Sequence, residues 1–152
     1  GPVVKIDPDL LPKKANIHYL GPKTNDTLPA YLSGWDIATL PFALNESTKF
    51  ISPTKTPEYL AGGKPVISTS ITDVVNPYAK KELVKIADTA DEFIAAADEI
   101  LSFKNDDRWL QKTDEFLAMN SWNETWHHMN ALIEQALLKK NIKNPKKRKL
   151  YV

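Results

Sequence analysis

The stretch Ser52–Glu58 (SPTKTPE) gathers side chains whose types and spacing could do chemistry. Ser52, Thr54 and Thr56 bring hydroxyls, Lys55 an ammonium and Glu58 a carboxylate. A turn with a purely structural job has no need of all of these beside the Gly-Gly break that follows. Hydroxyls, a lysine and the free amides of a helix start together favour an anion.

The elements that must position these groups are legible in the next residues, YLAGGKPVIST. A short apolar helix runs to Gly62-Gly63, which are expected to supply the left-handed conformations that end it, and Pro65 stops it continuing. Val66, Ile67 and Thr69 suit a strand covered on both faces. The polar end of a helix–turn–strand unit is where open α/β sheets collect ligands. Pro57 constrains the helix start. With Ser52 as N-cap and Pro53 at N1, Pro57 would remove a donor at a cost of about 3 kcal/mol. A tight turn over Ser52–Lys55, then a helix capped by Thr56 with Pro57 at N1, avoids this and is the expected arrangement.

EYLAGGKPVIST, with SPTK before it and DIATLPF upstream, resembles the donor-binding half of GT-B glycosyltransferases. The likeness is to the family-4-like group of retaining enzymes (glycosyl transferases group 1), and it runs from about Asn16 to about Glu99. It implies a partial GT-B C-terminal domain. It further implies that Glu58 hydrogen-bonds the ribose of a nucleotide-sugar, while the helix start with Ser52, Lys55 and Thr56 faces the diphosphate. The family also places a glutamate eight positions before this one, and Phe50 stands there instead. Glu46 is the carboxylate nearby, so contact with the sugar falls to Glu46 or to none. Either that role or a plain exposed loop glutamate suits it. The resemblance implies a further strand–helix unit upstream of Gly1, carrying basic residues for the diphosphate, and a separate N-terminal acceptor-binding domain. The chain is therefore expected to be part of a larger enzyme.

In chain order, Asn16–Leu20 (NIHYL) reads as a short strand, with His18 packed in it rather than catalytic. Thr24–Gly34 reads as a helix with Pro29 in its first turn, Tyr31 and Leu32 facing inward, and Gly34 ending it. Asp36–Phe42 is nearly all apolar, as a central parallel strand should be. Ala43–Ile51 and Ile71–Lys81 read as loops, and Leu83–Ala87 as a peripheral strand. Strands Ile17–Leu20, Ile37–Phe42, Val66–Thr69 and Val84–Ala87 are expected to be parallel neighbours in one sheet with helices on both faces.

Thr89–Glu92 is a capping box. It opens a helix with an apolar stripe of Phe93, Ile94, Ala97, Ile100 and Leu101. Asp107–Ala118 places Trp109, Leu110, Thr113, Phe116 and Leu117 on one face. Ser121–Glu124 starts a third helix to about Lys140, whose Trp122, Trp126, Met129, Ile133 and Leu137 recur at helical spacing and are expected to be packing. His127 and His128 are adjacent and point about 100° apart on a helix, so they cannot share a metal. The fold class is thus α/β, a Rossmann-like three-layer α/β/α arrangement with a parallel sheet and C-terminal helices.

The 152-residue length fits one domain, large enough to bury roughly 68–70% of its unfolded surface, and 42% of residues are hydrophobic. Residues 1–140 read as the donor-nucleotide domain and 141–152 as a basic tail. Zero cysteines exclude disulfides and thiolate metal sites and fit a cytoplasmic protein. No apolar run is long enough for a membrane span, and no charged-then-apolar leader is present. The net charge of +1 hides an asymmetry: Lys139–Lys149 holds seven of the 20 basic residues and no acid. The remainder carries 13 basic against 19 acidic residues, or −6, which disfavours a nucleic-acid platform. The basic run reads either as a frayed terminus or as a contact to an anionic membrane surface.

The sequence thus points to a glycosyltransferase of polysaccharide biosynthesis that takes a nucleoside-diphosphate sugar as donor substrate, with no metal or other cofactor. Lys55 and Glu46 are its catalytic candidates, and Ser52, Lys55, Thr56 and Glu58 its nucleotide-binding candidates. A nucleotide-sugar epimerase-type domain and a non-catalytic flavodoxin-like module share the strand–helix pattern.

Overall fold

A computed structural model describes residues 3–102 and 107–143, with side chains to residue 140. The chain divides into two compact units, Gly1–Lys104 and Asn105–Val152.

The first unit is built on a three-stranded parallel sheet of order β1-β2-β3. β1 is Ala38–Leu40, β2 Val66–Ser68 and β3 Val84–Ile86. The register pairs Ala38 with Val66 and Leu40 with Ser68, then Val66 with Val84 and Ser68 with Ile86. Helices alternate with the strands: α1 (Leu28–Ser33) precedes β1, α2 (Lys55–Ala61) links β1 to β2, and α3 (Thr72–Val75) follows β2. A fourth, α4 (Ala90–Ser102), follows β3. The arrangement is α/β and Rossmann-like, as the strand and helix pattern implied.

β2 is the central strand, and all three of its residues are buried, as a strand covered on both faces requires. Successive side chains point to opposite faces. Ile67 is 1% exposed and packs in a core with Ala87 and Ala96, flanked by Ile37, Phe93, Ala97 and Ile100. Those residues on α4 recur at helical spacing, and Lys85 to Glu99 at 2.7 Å adds an ion pair between β3 and α4. The capping box closes reciprocally. Thr89 Oγ1 accepts from the Glu92 amide at 3.3 Å, and Glu92 Oε2 accepts from the Thr89 and Asp88 amides at 3.0 and 2.7 Å.

Several sequence expectations are corrected. No strand forms at Asn16–Leu20. Ile17, Tyr19 and Leu20 are exposed, and so is His18. A short run of strand-favouring residues becomes a strand only with a neighbour to take its hydrogen bonds, and none of the described strands pairs here. DIATLPF is an edge rather than a central strand in this sheet, and Thr39 is open to solvent. Ile71–Lys81 is not a plain loop, because it contains α3 and a 3-10 turn at Ala79–Lys81. On α4, Ile94 and Leu101 lie outside the packed stripe and are exposed. Tyr31 is exposed, with Lys23 Nζ 5.0 Å over its ring.

Of the two glycines ending α2, only Gly63 is left-handed, at φ +65. Gly62 has φ −77, which any residue adopts, and its role is close approach. A Cβ there would lie 2.3 Å from Leu32 Cδ2 and 3.0 Å from Leu32 Cγ. Leu32 thus seats α1 on the end of α2. Lys64 Nζ donates to the Ser33 and Trp35 carbonyls, each at 2.9 Å, and Trp35 meets Tyr59 edge-on at 5.8 Å.

The second unit holds α5 (Asp107–Ala118) and α6 (Trp122–Lys143). On α5, Thr113 and Phe116 are buried, and Trp109, Leu110 and Leu117 are half-buried, the face expected from their spacing. At the start of α6 the Glu124 amide donates to Ser121 Oγ at 3.2 Å. The α6 stripe departs from expectation: Trp122, Trp126, Met129, Ile133 and Leu137 are all exposed. The tail from Asn144 onward lies outside the described residues.

Candidate functional site

The candidate residues sit on and just before the first turn of α2. The connector Gly63–Pro65 ties the end of α2 closely to the amino end of β2, so the first turn of α2 lies toward the carboxyl side of the sheet. Ligands of open α/β sheets bind on that side. The local structure differs from the expected one in its start. The helix begins at Lys55 with Thr54 as N-cap, and Thr54 makes no side-chain cap. Pro57 therefore falls at the third helical position, where the amide it lacks would have had no intrahelical partner. The helix is seven residues long, so its own dipole contributes little beyond the first turn.

Lys55 and Glu58 are brought together. Lys55 Nζ lies 2.6 Å from Glu58 Oε2, with the two side chains 49% and 50% exposed. One half-exposed cation and one half-exposed anion thus share a solvent-facing ledge, each able to exchange its partner for a ligand group. Ser52 is exposed three residues before the first helical residue. Thr56 is elsewhere: its side chain is fully buried, and its hydroxyl has no hydrogen-bond partner among the described residues. Its amide is occupied as well, donating to the Pro53 carbonyl at 3.2 Å. Expected at the ligand end, Thr56 instead belongs to the core beneath it.

Glu46 lies on the loop between β1 and α2. It is 89% exposed and 3.6 Å from Lys49 Nζ. The loop has internal support, because Asn45 Oδ1 accepts from the Ser47 and Thr48 amides at 2.9 and 3.2 Å. The Thr48 hydroxyl also donates to the Ala43 carbonyl. Phe50 is 81% exposed and carries Lys49 Nζ 5.5 Å over its ring. Glu46 thus pairs within its own loop, apart from the Lys55–Glu58 pair.

The carboxyl ends of the strands are held by polar groups that sequence reasoning passed over. The Ser68 hydroxyl donates to the Thr69 carbonyl at 2.9 Å. The Thr69 hydroxyl donates to the Phe42 carbonyl at 2.9 Å, and the Ser70 amide to Asp88 Oδ1 at 2.8 Å. The only sequence signal for Asp88 is its place just before a capping box. Backbone donation from Asp88 and Thr89, foremost, holds the Glu92 carboxyl below its ordinary range. Burial, and secondly the charge of Asp73, raises the Tyr78 phenol. No group of three or more His, Asp and Glu side chains suited to a metal occurs among the described residues. No helix among them is long and apolar enough to cross a membrane.

Comparison with known proteins gives one informative similarity. Over 111 residues, 71% of its length, the chain is 28% identical to the Bacillus subtilis (strain 168) protein named "Putative teichuronic acid biosynthesis glycosyltransferase TuaH". The chain spans 28% of the length of that relative. No family model matches, and no solved structure matches. The chain is thus a Rossmann-like α/β protein with distant similarity to a glycosyltransferase.

Proposed function

We propose that this chain is the donor-binding part of a GT-B glycosyltransferase that takes its sugar from a nucleoside-diphosphate sugar and serves polysaccharide biosynthesis. The observation that carries the reading is the Lys55–Glu58 pair, half-exposed on the first turn of α2 at the carboxyl side of a parallel sheet. The similarity to TuaH supports transfer over the epimerase and scaffold readings, and the teichuronic acid in that protein's name supports a polysaccharide product.

In such a reaction the bond from the anomeric carbon to the diphosphate oxygen breaks, and negative charge grows on the departing diphosphate. A fixed cation there lowers the barrier. Lys55 is that cation: its ammonium leaves Glu58 for a phosphate oxygen. Glu58, released, accepts a hydrogen bond from a ribose hydroxyl and fixes the nucleotide's position. Ser52 adds an exposed hydroxyl at the same end, and Thr56 supports the turn from within. Glu46 is the carboxylate offered to the sugar from the preceding loop. Transfer itself needs an acceptor held against the donor and water kept away. The 152-residue chain, spanning 28% of its relative, is proposed to bind donor without turning it over.

A thermal-shift screen of nucleoside-diphosphate sugars carrying different bases tests this. Stabilisation by at least one of them, lost in Glu58→Ala, is the expected result. No shift with any donor would refute the reading.

A further inference from the structure

We propose that Asp88 is a positioning residue for the donor site, acting through Ser70 and Thr69 to fix the mouth of the loop that leads to Lys55. The inference rests on the donor-binding reading above and names what holds its geometry.

Two side chains strap together the carboxyl ends of the three strands. Asp88 Oδ1, two residues after β3, accepts at 2.8 Å from the Ser70 amide, two residues after β2. Thr69 reaches the other way, and its hydroxyl donates at 2.9 Å to the carbonyl of Phe42, two residues after β1. The bonds span 18 and 27 residues in sequence, so neither is a local cap. Phe42 stands at the mouth of the connection that carries Glu46 and ends at Lys55. Further along, that connection is braced within itself by Asn45, so its placement on the sheet is set at the mouth, where Thr69 grips it.

Burial decides how each anchor acts. Thr69 is 7% exposed, and its bond is shielded from water. Asp88 is exposed and Ser70 half-buried, so water can replace their bond at little cost in stability. What goes with Asp88 is order. Ser70 and the adjoining Thr69 are freed to move, and a ligand must then order them on binding. A carboxylate is no partner for a diphosphate, which gives Asp88 a role through Ser70 rather than on the donor.

The test is titration of the 152-residue chain with uridine, guanosine and adenosine diphosphates in turn, followed by NMR. Asp88→Asn keeps an acceptor for the Ser70 amide, and Asp88→Ala does not. Both remove the charge, so the difference between them isolates the bond. Asp88→Ala should bind the preferred diphosphate about three- to tenfold more weakly than Asp88→Asn, the cost of ordering freed residues on binding. Its Ser70 amide should also exchange with solvent faster. Thr69→Val against Thr69→Ser should repeat the contrast at the other anchor. Phe93→Leu loosens the packing of α4 on the core without touching either bond, and should leave affinity unchanged. Equal affinities for Asp88→Ala and Asp88→Asn overturn the proposal. So does an equal loss in Phe93→Leu, which would assign the effect to general loosening. Wild type that binds none of the three diphosphates refutes the donor reading itself, and the positioning role falls with it.

Discussion

Replacing Gly62 by alanine separates two reasons for a glycine that sequence alone cannot tell apart. The backbone at Gly62 has φ −77, so alanine fits the conformation. Its smaller unfolded-state entropy would by itself stabilise the fold by about 0.4–1 kcal/mol. The new Cβ, however, would lie 2.3 Å from Leu32 Cδ2 and 3.0 Å from Leu32 Cγ, with the Tyr59 carbonyl oxygen at 3.4 Å. Leu32 must change rotamer or lift α1 away, an overpacking cost of about 1–3 kcal/mol. The net expectation is a loss of about 1–2 kcal/mol, both effects taken together. With Leu32→Ala already in place the obstacle is gone, and Gly62→Ala should be neutral or stabilising by a few tenths of a kcal/mol. The double-mutant cycle should therefore show a coupling of about 1–2 kcal/mol. Gly63→Ala behaves differently. Its φ of +65 imposes a strain of about 1–2 kcal/mol, whatever occupies position 32. Urea unfolding followed through the NMR signals of α2 and β2 amides reads these values for the first unit. Additivity of Gly62→Ala and Leu32→Ala within about 0.5 kcal/mol would refute the close-packing argument.

Breaking the Lys55–Glu58 pair by Glu58→Gln should change stability by less than about 0.5 kcal/mol, because both groups are half in water; a larger loss in urea unfolding would make the pair structural. Thr56→Val removes a buried hydroxyl with no partner among the described residues and should stabilise the first unit by about 1 kcal/mol; destabilisation of that size would mean the hydroxyl is hydrogen-bonded in solution. Glu92, held below its ordinary value of 4.5 by backbone donation, contributes stability that is fully present above that value. This contribution is lost as pH falls through the lower folded value. Stability of the first unit should decline more steeply below about pH 4.5 in the wild type than in Glu92→Gln; identical pH profiles would remove the capping carboxylate from the account.

What was legible in the sequence follows from where each residue's environment is set. Val66 and Ile67 lie in the central strand, whose cover on both faces is written into their own unbroken apolar run, so the run predicted their burial. The Thr89–Glu92 box is local to four residues and closes as read. Asn16–Leu20 also holds strand-favouring residues, Ile17 and Tyr19, but strand formation depends on a neighbour that its own residues cannot supply. Tyr31, Ile94 and the α6 stripe show the complementary failure: period alone says which residues share a face, not whether anything covers it. At the candidate site, residue type singled out Lys55 and Glu58 but gave no sign that they pair with each other. Thr56 was misplaced because the helix starts two residues earlier than expected, which turns it from the rim into the core. Gly62 was given the wrong reason, since Leu32 reaches it from 30 residues away in sequence.

The central claim is that Lys55 and Glu58 together hold a nucleoside diphosphate, and isothermal titration calorimetry measures it directly. The wild-type chain should bind one nucleoside diphosphate among those with uracil, guanine and adenine at high micromolar to millimolar Kd, on the order of 4–6 kcal/mol. Lys55→Ala should weaken that binding by about 1.5–3 kcal/mol, the scale of a charge-assisted hydrogen bond, while leaving the bare nucleoside nearly unaffected. Glu58→Gln should weaken nucleoside and nucleoside diphosphate alike. Equal affinities for wild type and both variants would contradict the account and place the donor site elsewhere.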